Sequence, residues 1–213
     1  MSRKIPLFPL PGVVLLPGTI LPLHIFEPRY RAMVADALDG ERTIGMAMMR
    51  PGWEESAHSP PIFPVGGAGR IVEAEQLTDG RYNIVLAGEF RYRVVEESPP
   101  APYRVARVEP LASTPFPSSS RAAAVCSEAA NLFLELGDAM ELPPLPGEEL
   151  EVERLASELA LRLRYEPAEL QAFLETDSLP DRFALLLARM REWRERIRFL
   201  APFRVGQPTS NRN

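Results

Sequence analysis

Across residues 1–117, short apolar runs alternate with proline or glycine every few positions, a punctuation that predicts short strands and turns. The runs place strands at 4–8, 13–16, 43–49, 70–77, 81–87, 92–96 and 103–108. Asp79-Gly80 marks a hairpin, because this dipeptide accepts the positive φ of a tight turn between two apolar runs. Beyond it Tyr82, Ile84 and Leu86 alternate with Asn83 and Val85, as in a strand with one buried face. One helix interrupts this half: Pro28 suits a first helical position, Tyr30, Met33, Val34, Ala37 and Leu38 recur at helical spacing, and Gly40 closes the end.

Residues 113–120, rich in proline and serine, can continue neither kind of element, and past them the apolar period lengthens from about two to about 3.6. A helix at 119–136 sets Val125, Ala129, Leu132, Phe133 and Leu136 on one face, with Gly137 just past its end. The segment 142–147 is a stiff, proline-rich connection. A helix at 148–164 opens with Glu148, Glu149 and Glu151, favourable beside the positive end of a helix dipole, and buries Val152, Leu155, Leu159 and Leu163. A third, at 167–176, starts on Pro167 and carries Leu170, Phe173 and Leu174. A fourth starts near 178–181 and aligns Phe183, Leu186, Leu187, Met190, Trp193, Ile197 and Leu200, its last turns holding Arg194, Arg196 and Arg198. The pattern therefore divides the chain into a strand-rich region at 1–117, a helical region at 118–205 and a mobile tail at 206–213.

Composition narrows the chemistry. Of 23 prolines in the 213 residues, sixteen fall in the strand-rich part, so their excess marks turns and edges rather than disorder. Cys126 is the only cysteine, which allows no intrachain disulfide, and with two distant histidines it falls short of a structural zinc site. Lys4 is the only lysine and follows no glycine loop, so a P-loop is excluded and a lysine-based mechanism would depend on that one residue. The net charge of −5 argues against general affinity for nucleic acid. No continuous apolar run has the form of a signal peptide or membrane span, and a cytoplasmic protein is expected.

Few residues point to catalysis or ligation. His24 lies in His-Ile-Phe-Glu, not in a His-Glu-x-x-His helix, and reads as a hydrogen-bonded histidine at a strand end. His58, in a polar loop, reads as solvated. Cys126 reads as a small helix residue with no base nearby to activate it, and the serines form no nucleophile elbow. Gly66-Gly-Ala-Gly69 precedes a strand rather than a helix, so it reads as a turn or bulge and not as a phosphate loop. The arginines between 189 and 198 are interleaved with Glu192 and Glu195, as on a solvated face. No metal, cofactor or catalytic residue is expected. What remains is an apolar, proline-stiffened opening from Ile5 to Tyr30, which offers side chains or an unpaired edge to a partner.

Here the chain resembles the N-terminal substrate-binding domain of Lon proteases. The likeness is carried by Ile5-Pro-Leu-Phe-Pro-Leu, Val13-Val-Leu-Leu-Pro and Leu21-Pro-Leu-His-Ile-Phe-Glu-Pro-Arg-Tyr-Arg. It continues through Ile44-Gly-Met-Ala, Val65-Gly-Gly-Ala-Gly-Arg-Ile-Val and Val85-Leu-Ala-Gly-Glu-Phe-Arg-Tyr-Arg-Val. The resemblance implies an α+β fold: a PUA-like pseudo β-barrel with one helix, then a four-helix region. It also implies a stand-alone form without ATPase and peptidase modules, in keeping with the solitary lysine. The function it implies is non-enzymatic recognition of unfolded or apolar polypeptide segments, with a separate protease or chaperone as the partner of an adaptor in protein quality control. Leu21, Leu23, Phe26, Arg29 and Tyr30 are the candidate peptide-binding residues. RNA binding of the PUA-like type is the alternative, and it requires a basic, aromatic-lined groove.

Overall fold

In the computed structural model, which describes residues 2–55, 60–99, 102–147 and 150–200, the first half forms six strands and a helix. The strands are β1 (Arg3–Leu10), β2 (Ile20–Ile25), β3 (Thr43–Met48), β4 (Val65–Gln76), β5 (Tyr82–Glu97) and β6 (Arg104–Leu111), and α1 (Pro28–Asp39) follows β2. The sheet order is β2-β5-β4-β3-β1-β6, and β6 pairs again with β5. Five strands therefore close a ring, and β2 hangs outside it. One edge of β5 serves two neighbours, since Tyr82–Ala87 pairs with β2 and Arg91–Glu97 with β6. Register shifts at Ala68/Gly69, Ile71/Glu73 and Val94/Glu96 bend the long strands into this irregular ring. The β1–β3 pairing is parallel, the intervening chain running through β2 and α1.

The two strands expected at 81–87 and 92–96 are one, continuous through Gly88-Glu-Phe-Arg91. Residues 13–16, expected as a strand, instead cross the ring as extended coil with Leu15 and Leu16 fully buried. An apolar run has the same signature in either state. The crossing explains the glycines. A Cβ on Gly67 would lie 1.9 Å from the Leu15 carbonyl oxygen, and one on Gly88 would lie 2.2 Å from that of Leu16. Backbone bonds seal the contact, Gly18 N–H donating to Gly88 O and Gly88 N–H to Thr19 O, both at 2.8 Å. The Gly-Gly-Ala-Gly run is thus the start of β4, bulged at Ala68/Gly69 and bare where another part of the backbone passes over it.

The second half comprises α2 (Ser119–Met140), α3 (Val152–Arg162), α4 (Pro167–Glu175) and α5 (Leu179–Leu200). Gly137 lies within α2 and does not end it; the stop is Glu141, in the left-handed region at φ 51°. The helix expected at 148–164 is α3, which starts at Val152, and Glu148 and Glu149 lie outside the described residues, as do His58 and the tail expected at 206–213. Ala129, Leu132, Phe133, Leu159, Phe173, Phe183, Leu186 and Met190 form the helical core, and Leu16 and Val65 from the strand half join it. A second core beneath α1 gathers Phe8, Ile25, Tyr30, Met33, Val34, Ile71, Ile84 and Leu86.

Two buried arginines, which no sequence pattern marked, tie the halves together. Arg91 on β5 donates to the carbonyls of Leu174 (2.9 Å) and Ala112 (3.1 Å) and to Asp177 (2.9 Å). Arg182 on α5 donates to Thr176 O (2.7 Å) and Glu153 (2.9 Å). The Ser113 hydroxyl, donating to the same Glu153 oxygen at 2.6 Å, links both arginines into one network. Burial, with the neighbouring Arg91 charge, pulls the Arg182 guanidinium below its ordinary pKa.

Candidate functional site

The free strand β2 borders a concavity that it shares with β5 and β4. Alternation turns Leu21, Leu23 and Ile25 toward the core and Ile20, Pro22 and His24 outward, as their burial confirms. Because Gly88 donates to Thr19 O, the same parity gives the hydrogen bonds with β5 to residues 21, 23 and 25. The backbone groups of 20, 22 and 24 then face the open edge. Pro22 brings no N–H to that edge, which interrupts it as a template for another strand.

On the outer face of β2, β5 and β4 lies a trough of about 570 Å³. Its walls are two cross-strand rows set by register, Pro22–Val85–Glu73 and His24–Asn83–Glu75, and Leu23, Ile84 and Ala74 lie between them as its floor. The polar row is internally bonded. His24 Nδ1 is 2.8 Å from Asn83 Oδ1, Asn83 Nδ2 donates to Glu75 at 3.1 Å, and Arg81 Nη1 lies 3.2 Å from His24 Nε2. A proton on Nδ1 lets the ring donate to Asn83 and accept from Arg81. Arg81 is paired in turn with Asp79 at 2.6 Å across the Gly80 turn, whose φ of +79° only glycine adopts at ease. The Arg81 amide and side chain hold the Asp79 carboxyl below its ordinary pKa.

The five residues expected to bind peptide take different places. Leu23 lines the trough, and Phe26, 61% exposed, stands just past the end of β2 with its ring 6.3 Å from that of His24. Leu21 is half-buried against the core beneath α1. Arg29 is paired with Glu27 at 2.8 Å and lies over the Tyr30 ring, while Tyr30 is buried 4.4 Å from Phe8. Of the five, the structure sets Leu23 in the floor of the trough and Phe26 near its His24 wall, and it adds Glu73, Glu75, Asn83 and Val85, which the sequence reading did not single out. A two-residue Asp79-Gly80 turn would set Ile84 opposite Glu75; the turn instead spans 78–80 between Leu77 and Arg81, which puts Asn83 opposite Glu75, and their meeting with His24 depends on the long-range β2–β5 register.

Among the described residues no group of three or more His, Cys, Asp or Glu side chains is placed to hold a metal ion. Cys126 packs against the helical core, and burial pushes its thiol pKa up, away from the range of a reactive thiolate. No described helix is long and apolar enough to cross a membrane.

A ring of strands with one strand outside it and a helical region after it is also the architecture of known proteins. The N-terminal domain of a Mycobacterium avium complex Lon protease superposes with a TM-score of 0.68 at 18% identity, covering 89% of this chain and 98% of that one. A Lon N-terminal domain protein from Xanthomonas campestris gives 0.64 at 22% identity, covering 87% and 98%. The family model of the ATP-dependent protease La (LON) substrate-binding domain matches residues 4–192, and the chain belongs to that family. Lon protease 2 of Myxococcus xanthus is 30% identical over 203 residues, and Lon protease of Anaeromyxobacter dehalogenans 29% over 196. These alignments cover 92% and 90% of this chain but 24% and 23% of the relatives, so the chain spans about a quarter of their length.

Proposed function

We propose that this chain binds unfolded or apolar polypeptide segments at the β2 side of the ring, without chemistry of its own, and presents them to a separate protease or chaperone. The observation that carries the reading is Phe26, a large aromatic left 61% exposed at the end of a free strand and beside the trough. Ile20, 59% exposed on the outer face of the same strand, extends the apolar surface. Such surface is stabilised by covering it, at about 25 cal/mol per Å². Membership of a substrate-binding family supports a substrate-recognition role, and the carboxylates around the trough oppose phosphate, which disfavours RNA. The proposal sets this activity in the cytoplasm, where an unpaired cysteine such as Cys126 is ordinary.

Fluorescence anisotropy with a labelled, casein-like unfolded chain tests it. Wild type should bind in the micromolar range, and Phe26→Asp should weaken binding by about tenfold or more, since a buried phenylalanine is worth about 1.5–3 kcal/mol. Phe26 is the better probe than Leu23, whose substitution by aspartate would also disturb the core. Absence of binding by the folded wild type at tens of micromolar would refute the reading.

A further inference from the structure

The charge around the trough is one-sided. Glu73 and Glu75, both exposed, lie at its β4 end, one on each wall, while its β2 end carries the outward-facing Pro22 and His24, with Val85 beside Pro22 and the exposed Phe26 next to His24. Gln76 and Leu77 follow on the same chain without adding a cation. Of the nearby cations, Arg81 is paired with Asp79 and reaches the trough at His24, at the β2 end away from the glutamates, and Arg70 lines a separate cleft with Arg3, Lys4, Glu41 and Glu89. Glu75 is fixed by the Asn83 amide, so one carboxylate is oriented before any ligand arrives.

We infer that the segment preferred here is an extended one carrying an apolar side chain and, two residues away, a lysine or arginine. This rests on the recognition reading above and specifies its substrate class. From β2 to β4 is two strand spacings, about 9.5 Å. Two residues of extended chain span about 6.6 Å on one face, and the stem of a basic side chain covers the remaining distance. The apolar residue then rests on the outward-facing Pro22 and Val85, and the cation lies between Glu73 and Glu75. The missing Pro22 N–H favours this crossing of the sheet face over addition of a strand along β2.

Three fluorescein-labelled peptides of about a dozen residues, identical except for Arg, Gln or Glu at the second position after a central Phe, distinguish the outcomes by anisotropy. Exposed charge pairs are individually weak, so at low salt the Arg peptide should bind about three- to tenfold tighter than the Glu peptide. That preference should shrink to within about twofold in the Glu73→Gln/Glu75→Gln double variant and in about 0.5 M salt. The Gln peptide should be insensitive to both changes, since glutamine keeps the acceptor that Asn83 uses. Equal binding of Arg and Glu peptides, or a preference that survives the double substitution, overturns the inference and leaves peptide recognition standing. Failure of all three peptides together with the unfolded chain overturns both.

Discussion

Three glycines show how one residue type serves opposite purposes. Gly67 and Gly88 are bare because the Leu15 and Leu16 carbonyls pass within 1.9 and 2.2 Å of where their Cβ atoms would be, and backbone cannot yield as a side-chain tip can. Gly67→Ala should therefore cost about 3 kcal/mol or more, or prevent folding. Gly137 has no atom within 4 Å of its Cβ position and lies inside α2, where glycine costs helix stability without compensation. Gly137→Ala should raise stability by about 0.5–1 kcal/mol. Urea unfolding of the two variants measures both signs, and equal effects would contradict the packing described. Sequence marked Gly67 as part of a turn or bulge and Gly137 as a helix stop, but the backbone that crosses Gly67 and Gly88 is some fifty to seventy residues away in the chain and leaves no local trace.

Elements whose determinants are local were legible, and those completed by distant pairing were not. α1 begins at Pro28, the hairpin turns at Gly80 with φ +79°, and α4 begins at Pro167, as their own residues dictate. β2 was missed because prolines 17 and 22 flank and interrupt it; it exists as an edge strand, whose outer side tolerates a missing N–H. The site divides likewise, with Leu23 and Phe26 visible as an apolar opening and the opposing carboxylates supplied by β4. In α4, Glu169 accepts from the Glu166 amide at 2.8 Å and pairs with Arg189, and these contacts hold its carboxyl below the ordinary 4.5. A lowered folded pKa means that the stabilisation is present above about 4.5 and fades as pH falls through the folded value. Between roughly pH 6 and pH 3, Glu169→Gln should thus lose less of its urea midpoint than wild type, and parallel slopes would contradict the cap.

At the scale of the molecule, the expected division at 117/118 falls between strands and helices, yet Arg91 bonds across it to Leu174 and Asp177, and Ser113 bonds across it to the Glu153 that Arg182 also holds. Arg91→Met removes donors from two carbonyls and from Asp177, whose side chain is more than half exposed, and should cost about 1–3 kcal/mol. Hydrogen exchange should then show α4 and α5 losing protection ahead of the ring; a uniform loss would place the network's role elsewhere. The ring itself has a temporal consequence. β1 pairs with β6 from Arg3↔Val108 onward, and the chain after β1 is sealed through Gly18 and Gly88. On a ribosome, β1 therefore meets its first partner, β3, about forty residues later, but β6, which closes the ring on its other side, only after about a hundred. Until then the leucines and phenylalanine of β1 have no closed ring to cover them, so the nascent chain itself passes through the exposed apolar condition that its finished surface is proposed to recognise in others.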